Sequence, residues 1–334
     1  MSIAPAALLP DPATPLAADA AARAFAAILD GGPDDAAVRD FLTALSDRGE
    51  TAVEIAAAAQ AMRDRMIPLT APEGAIDVCG TGGDGLHTLN VSTAVAIVVA
   101  ACGVPVAKHG NRAASSKAGG ADTLEALGVR LDISPQDAER QLRELGLCFL
   151  FAQRHHPALG RIAPIRKAIG RRTIFNLIGP MANPARVQRQ MVGIARPDYA
   201  LIGAEAMRML GMHHAMVVAG EDNMDELSLA APNRVAELSD GTIRTYSLSA
   251  ADVGLPAHDH RAIEGGDAAY NAAALRRLMA GETGAYRDAV LFNAAGALIV
   301  AGKTKDWAEG IALAQAALAE GRADALLRRW IAWA

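Results

Sequence analysis

Ile76-Asp77-Val78-Cys79-Gly80-Thr81-Gly82-Gly83-Asp84-Gly85 decides the fold, because a short apolar run ends there in four glycines within six residues. Such a run reads as a buried strand leaving into a tight turn. The pattern repeats outward. Thr93 to Ala101 is apolar all round, as a buried helix is. Val104 to Ala107 is a second strand, followed by Lys108-His109-Gly110-Asn111-Arg112-Ala113-Ala114-Ser115-Ser116-Lys117. Ser134-Pro135 opens a helix that reaches Gly146, and Cys148 to Phe151 is a third strand. Met191 to Ile194 and Ala215 to Ala219 are strands around a helix from Tyr199 to Leu210. Strands alternating with helices predict an α/β sheet with covering helices. Arg234 to Leu238 and Thr242 to Leu248, joined by Asp240-Gly241, read as a hairpin, and the chain from Asp267 onward is mostly helical.

Residues 15 to about 70 read as helices only. Thr14 is placed to cap a helix with Pro15 at its first position, and Gly31-Gly32-Pro33 stops it. Val38, Phe41, Leu42 and Leu45 give the apolar face of a second helix. Thr51 with Glu54 forms a capping box for a third, running through Met66 to Pro68. The expected division is a flexible tail over 1–14, a small all-α domain over 15–72 and a larger α/β domain over 73–334.

Composition narrows the function. The chain has 334 residues, 51% of them hydrophobic, and a formal net charge of −5. An acidic surface does not attract nucleic acid or anionic membranes, so any anion-binding cations are local. Cys79, Cys102 and Cys148 form no paired motif and lie in or beside apolar segments, which suits reduced buried thiols and a cytoplasmic location. No apolar run is long enough to span a membrane, and Met1 to Pro15 lacks the basic start of a signal peptide.

The glycine turn formally matches G-x-G-x-x-G. A nicotinamide site needs an acidic residue about 20 positions further on. None occurs between Asp84 and Asp122, so that reading is rejected. The turn carries more glycine than a simple tight turn needs, which favours phosphate binding. Asn90-Val91-Ser92-Thr93 starts the buried helix. Its hydroxyls and free N–H groups are either ordinary caps or an anion site. Lys108 to Lys117 lies at a strand's carboxyl end, where open α/β sheets bind ligands. Asp225-Glu226, in the loop after the strand Ala215 to Ala219, is either exposed acid or a Mg²⁺ site. Arg166, Lys167, Arg171 and Arg172 suit carboxylate recognition or surface ion pairs. His155-His156 and His213-His214 read as structural.

Together, Gly-Thr-Gly-Gly-Asp-Gly at 80–85, Asn-x-Ser-Thr at 90–93, Lys-His-Gly-Asn-Arg at 108–112, Gly-Gly-Ala-Asp at 119–122, Thr-Ile-Phe-Asn-Leu-Ile-Gly-Pro-Met-Ala-Asn-Pro at 173–184 and Asp-Glu-Leu-Ser at 225–228 resemble the anthranilate phosphoribosyltransferase family. The resemblance runs from about residue 15 to the end. It implies a two-domain fold of the nucleoside phosphorylase and phosphoribosyltransferase type, with a mostly parallel central sheet and a hinge. It also implies that a segment near 167–190 returns to the helical domain, and that a homodimer forms through that domain. The implied reaction joins anthranilate to phosphoribosyl pyrophosphate in tryptophan synthesis. Residue by residue, it implies that Gly80, Gly83, Asp84, Thr88, Asn90, Val91, Ser92, Thr93, Gly120 and the run Lys108, His109, Gly110, Asn111, Arg112, Ala113, Ala114, Ser115, Ser116 bind phosphoribosyl pyrophosphate. Gly80, Asn111 and Arg166 would bind anthranilate, with His109 beside it and Lys108 stabilising the leaving pyrophosphate. Ser92, Asp225 and Glu226 would hold two Mg²⁺ ions. Ala118 and Gly120 stand where the family often has serine, and Leu89 where it often has an aromatic.

Two other readings compete. A pyrimidine-type nucleoside phosphorylase shares this fold type and a glycine-rich phosphate turn, but Arg166 and Lys108 to Arg112 favour the transferase. A nucleic-acid-binding relative without enzymatic activity calls for a basic surface, which the net charge opposes.

Overall fold

The computed structural model describes residues 9–113 and 117–333. Three helices open it: α1 (Ala18–Asp30), α2 (Asp35–Arg48) and α3 (Ala52–Arg63). Then come β1 (Ile76–Gly80), α4 (Val91–Ala101), β2 (Val106–Gly110), α5 (Gly120–Leu127), α6 (Pro135–Leu145) and β3 (Leu147–Phe151). Short helices α7 (Ala152–His155), α8 (Leu159–Ile169) and α9 (Ile174–Leu177) lead to β4 (Arg189–Gly193), α10 (Ala200–Met209) and β5 (His214–Gly220). The hairpin is β6 (Asn233–Ser239) with β7 (Thr242–Leu248). The chain closes with α11 (Ala268–Met279), α12 (Ala285–Val300), α13 (Trp307–Ala319) and α14 (Arg322–Ala332). No helix among the described residues is long and apolar enough to cross a membrane.

The strands form one sheet in the order β3-β2-β1-β4-β5-β6-β7. β1 to β5 run parallel and the hairpin strands antiparallel. The chain steps from β1 outward to β3, then returns to place β4 on the other side of β1. The direction of winding therefore reverses between β1 and β4. A crevice opens at the carboxyl ends of the strands at such a point.

Alternate strand residues face opposite ways, and the sheet separates two large apolar cores, with a smaller cluster where α6 covers Ala107, Cys148 and Leu150. Met191, Met216 and Val218 join α4, α12 and α14 on one face. Val192, Ala215 and Val217 join α1 to α3 and α10 on the other. Ile162 and Ile165 of α8 and Ile174, Phe175 and Leu177 of α9 pack into that second core beside Phe25, Phe41 and Ile55. The first core centres on α4, whose positions 93–100 are all buried.

Some boundaries differ from the sequence reading. α1 begins at Ala18, and its N-cap is Ala17 without a side-chain cap, so Thr14 caps nothing. Leu16 is held in the core instead, with its N–H donating to Glu54 Oε1 at 2.9 Å. The Thr51–Glu54 capping box forms, but α3 ends at Arg63 rather than near Met66. Arg65 turns to pair with Asp30, and the Ile67 N–H donates to the His155 carbonyl. The second strand is two residues later than expected: Lys108, His109 and Gly110 lie within β2, in register with Phe149, Leu150 and Phe151 of β3.

Candidate active site

A cleft of ≈ 730 Å³ lies over the carboxyl ends of β1, β2 and β3. Of the residues that the family resemblance assigns to the site, Ala114, Ser115 and Ser116 fall outside the described residues. The others line the cleft, except Val91, which is fully buried with its N–H donating to Leu89 O.

One end is built for an anion. Gly82, Gly83 and Gly85 have φ of 69°, 79° and 78°, a left-handed conformation that side chains with a Cβ resist. The turn that carries Thr88 is fixed from outside: the Leu89 N–H donates to Ile263 O and the Gly265 N–H to His87 O, each at 2.8 Å. Asn90 is a hub. Its Oδ1 accepts from Thr123 Oγ1 and Asn271 Nδ2, its Nδ2 donates to Ala118 O, and its carbonyl accepts from Tyr286. Lys108 is only 3% exposed and donates to Val78 O at 2.6 Å and Ser92 Oγ at 3.2 Å. Its charge favours ionisation of the nearby Glu226. Asn111 accepts from the Arg112 N–H, and the Arg112 guanidinium is engaged by Asp122 and Glu125.

Asp84, Asp225 and Glu226 bring carboxylate oxygens within 4.8 Å of one another. Burial and the charge of Asp84 push the Asp225 carboxyl up to about 7, and burial and Asp225 push Glu226 well above its usual range. Glu226 Oε2 is buried without a hydrogen-bond partner. The Gly82 N–H donates to Asp225 Oδ2 at 2.6 Å, while Arg172 donates to Gly82 O at 2.8 Å. The acidic loop rests directly on β1 and β4. A Cβ at Gly80 would overlap the Asp225 carboxylate, and one at Gly193 would overlap the Asp225 carbonyl.

The other end differs in chemistry. Met62, Leu159 and Phe175 supply apolar wall around Arg166. Burial lowers the Arg166 pKa, yet no described residue forms a hydrogen bond or ion pair with its guanidinium. His109 and His156 are 5% and 3% exposed, with ring centroids 5.0 Å apart. His109 Nδ1 lies 3.0 Å from Gly179 O, so it must carry the proton there and leave Nε2 as a lone pair. His156 bonds the Ala182 backbone and likewise leaves Nε2 without a partner. Burial, with His156 and His155 close by, holds His109 well below 6.5, and burial with the neighbouring His155 brings His156 to about 4.

Known proteins share this arrangement along nearly the whole chain. Residues 72–324 match the glycosyl transferase family a/b domain, and residues 12–66 its helical bundle domain. An anthranilate phosphoribosyltransferase of Novosphingobium aromaticivorans is 64% identical over 97% of this chain and 98% of its own length. One from Sphingopyxis alaskensis is also 64% identical with the same coverage. The chain belongs to the anthranilate phosphoribosyltransferase family. The crystal structure of the Thermus thermophilus member superposes with a TM-score of 0.91 at 44% identity, covering 96% of both chains. The Saccharomyces cerevisiae anthranilate phosphoribosyltransferase in complex with PRPP and Mg gives a TM-score of 0.86 at 27% identity, over 95% of this chain and 93% of that one.

Within this anthranilate phosphoribosyltransferase fold, three residues take parts that the sequence alone does not give them. The sequence reads His156, like its neighbour, as structural. His155 does only bind a backbone carbonyl, Ile67 O, but His156 faces the cleft. The signal was present, since the pair follows the carboxyl end of β3 as Lys108-His109 closes β2. Asp84, expected only on the phosphoribosyl pyrophosphate, joins the acidic pair, and the Ser92 hydroxyl accepts from Lys108. Arg172, which the sequence leaves open between carboxylate recognition and surface ion pairs, spans to the glycine turn.

Proposed function

We infer that the chain transfers the 5-phosphoribosyl group from phosphoribosyl pyrophosphate to the amine of anthranilate, releasing pyrophosphate. The observation that carries this is one cleft with two unlike ends: an acidic, glycine-lined end, and an apolar end whose guanidinium has no partner among the described residues. A polyphosphate sugar matches the first and a planar aromatic carboxylate the second.

The acidic end fits Mg²⁺. Three carboxylates repel one another, and one buried oxygen lacks any partner. Hard cations take carboxylate oxygens together with substrate phosphate. Asp225 and Glu226, with Asp84 and the Ser92 hydroxyl, would hold one or two ions. Bound there, Mg²⁺ neutralises pyrophosphate charge as it develops.

The protein's own groups do the rest. Amides of the glycine turn, with Thr88, Ser92, Thr93 and Asn111, hold the phosphates. Lys108 sits behind Ser92 and adds positive potential to that end. Breaking the C1–oxygen bond leaves positive charge on the ribose and the electron pair on pyrophosphate. Arg166 grips the anthranilate carboxylate by its two oxygens and aims the amine at C1. The amine lone pair forms the new C–N bond, and one amine proton must then leave. We assign that proton to the unprotonated Nε2 atoms of His109 and His156, which are buried without a partner among the described residues while both histidines border the cleft. A proton on an aromatic ammonium is acidic enough for a weak base to take.

The division into a helical domain and an α/β domain, with 167–190 returning to the former, follows from the same reading. So do a homodimer through the helical domain and a cytoplasmic location. The test is loss of anthranilate fluorescence with purified protein. A signal that falls only when anthranilate, phosphoribosyl pyrophosphate and Mg²⁺ are all present supports the transferase. Folded protein that leaves it unchanged over a range of Mg²⁺ overturns it.

A further inference from the structure

We propose that Asn293 of α12 is a positioning residue for the Asp225-Glu226 pair, acting through the backbone of Leu227. The inference rests on the assignment of those carboxylates to a divalent cation.

α12 is buried at every position from Ala289 to Val300, and Asn293 carries the one polar side chain in that stretch. An amide in such surroundings is costly unless its hydrogen bonds are made. They are made, and two of the three go to a single peptide position. Asn293 Oδ1 accepts from the Leu227 N–H at 2.9 Å and Nδ2 donates to Leu227 O at 3.1 Å. The third goes to Ala289 O, which fixes the carboxamide to its own helix.

Leu227 directly follows the acidic pair. Within the loop, Asp222 accepts from the Met224 N–H and the Ser228 hydroxyl on either side of the pair. On the sheet side the seat is shaped by absence, since Gly80 and Gly193 leave room for Asp225. On the helix side it is set by the carboxamide. Beyond Leu227, the Ser228 N–H is taken by Asn233 Oδ1 at 2.7 Å. The pair is thus held between two glycines and two asparagines, and Asn293 is the nearer anchor. Asn293 does not line the main cleft; it borders a small buried space behind it together with Ser92, Asp225 and Glu226.

Outer groups that orient metal-binding carboxylates typically change metal affinity about 10- to 100-fold when removed. The experiment uses Mn²⁺ as the probe, with free Mn²⁺ counted by electron paramagnetic resonance in the presence of phosphoribosyl pyrophosphate. Asn293→Leu keeps the volume and removes the amide. It is expected to weaken Mn²⁺ binding about 10- to 100-fold and raise the Mg²⁺ requirement, with KM for anthranilate unchanged. Leu298→Val, a core change in the same helix, is expected to leave Mn²⁺ binding as in the wild type. If Asn293→Leu fails to fold, Asn293→Ser is read in the same way. Unchanged Mn²⁺ affinity in the Asn293 variant, or an equal loss in Leu298→Val, overturns the proposal. Asp225→Asn with Glu226→Gln separates the two levels. Loss of Mn²⁺ there, with full binding in Asn293→Leu, sinks only the role of Asn293. Full binding in the carboxylate double variant sinks the cation site itself.

Discussion

Arg166 is half-buried and yet has no partner among the described residues, which is an expensive way to keep an arginine unless a ligand supplies the missing oxygens. Hydrogen bonds to charged groups contribute about 1.5–3 kcal/mol each, so Arg166→Ala is expected to weaken anthranilate binding roughly 10- to 100-fold. Phosphoribosyl pyrophosphate binding should be nearly unchanged. Calorimetry with each ligand separates the cases, and equal losses would remove the assigned role. The histidines give a second residue-scale prediction. An ordinary imidazole titrates near 6.5. His109 is held well below that and His156 near 4, because burial disfavours their charged forms. Their Nε2 lone pairs therefore survive as pH falls through 6.5. At saturating Mg²⁺, kcat/KM for anthranilate should show no histidine inflection there. A steep loss centred on 6.5 would take the proton-acceptor role away from this pair.

At the scale of elements, the acidic loop between β5 and β6 owes its place to β1 and β4. Gly80→Ala and Gly193→Ala would each drive a methyl group into Asp225. Either should abolish Mg²⁺-dependent activity, and Gly193→Ala should do so while weakly affecting anthranilate binding, read by activity and calorimetry on folded protein. The loop also links pH to stability. The Asp225 carboxyl rises from 3.8 to about 7 in the folded chain. The metal-free fold therefore keeps a proton that the unfolded chain releases, and this group lowers stability as pH climbs from 3.8 toward 7. A cation needs the deprotonated form, so its stabilisation grows as pH rises through about 7. Added Mg²⁺ should raise Tm more at mildly alkaline than at mildly acidic pH, and an equal shift at both would contradict the shared site. Most of these elements were legible in the sequence because glycine, proline and capping residues punctuate them. Gly146 and the Thr51–Glu54 box ended and began helices where expected. The misses share one physical cause. Leu16 stays out of α1 because of Glu54, and Lys108 joins β2 because β3 lies beside it. Such partners are distant in sequence, and no local signal names them. The acidic pair was legible for the same reason that its supports were not. Two adjacent carboxylates after a strand stand out, whereas Gly193 and Asn293 matter only through what packs against them.

At the scale of the whole molecule, the cleft joins walls that belong to different cores. The phosphate wall grows from β1, α4 and β2 against the core that holds α12. The aromatic wall comes from α3, α8 and α9, which share the core on the sheet's other face. Nothing in the apolar runs of α8 and α9 says which core they join; the family resemblance implied a return to the helical domain near 167–190, which takes in α9 but leaves most of α8 outside. A cleft between separately packed walls can change width without disturbing either interior. Arg172 reaches across it, donating to Gly82 O at 2.8 Å from the stretch between α8 and α9. Substrates that meet in such a cleft react best when it closes and excludes water, because water competes for the activated ribose. The expected signature is cooperative protection. In hydrogen exchange, phosphoribosyl pyrophosphate with Mg²⁺ should protect amides of 80–93. Anthranilate added with a non-reactive analogue of the first substrate should extend protection to 166–176 and deepen it at 80–85. Arg172→Ala should uncouple the two responses while each ligand still protects its own wall. If anthranilate protects 166–176 equally with the phosphate end empty, the two walls act independently and closure is not part of the reaction.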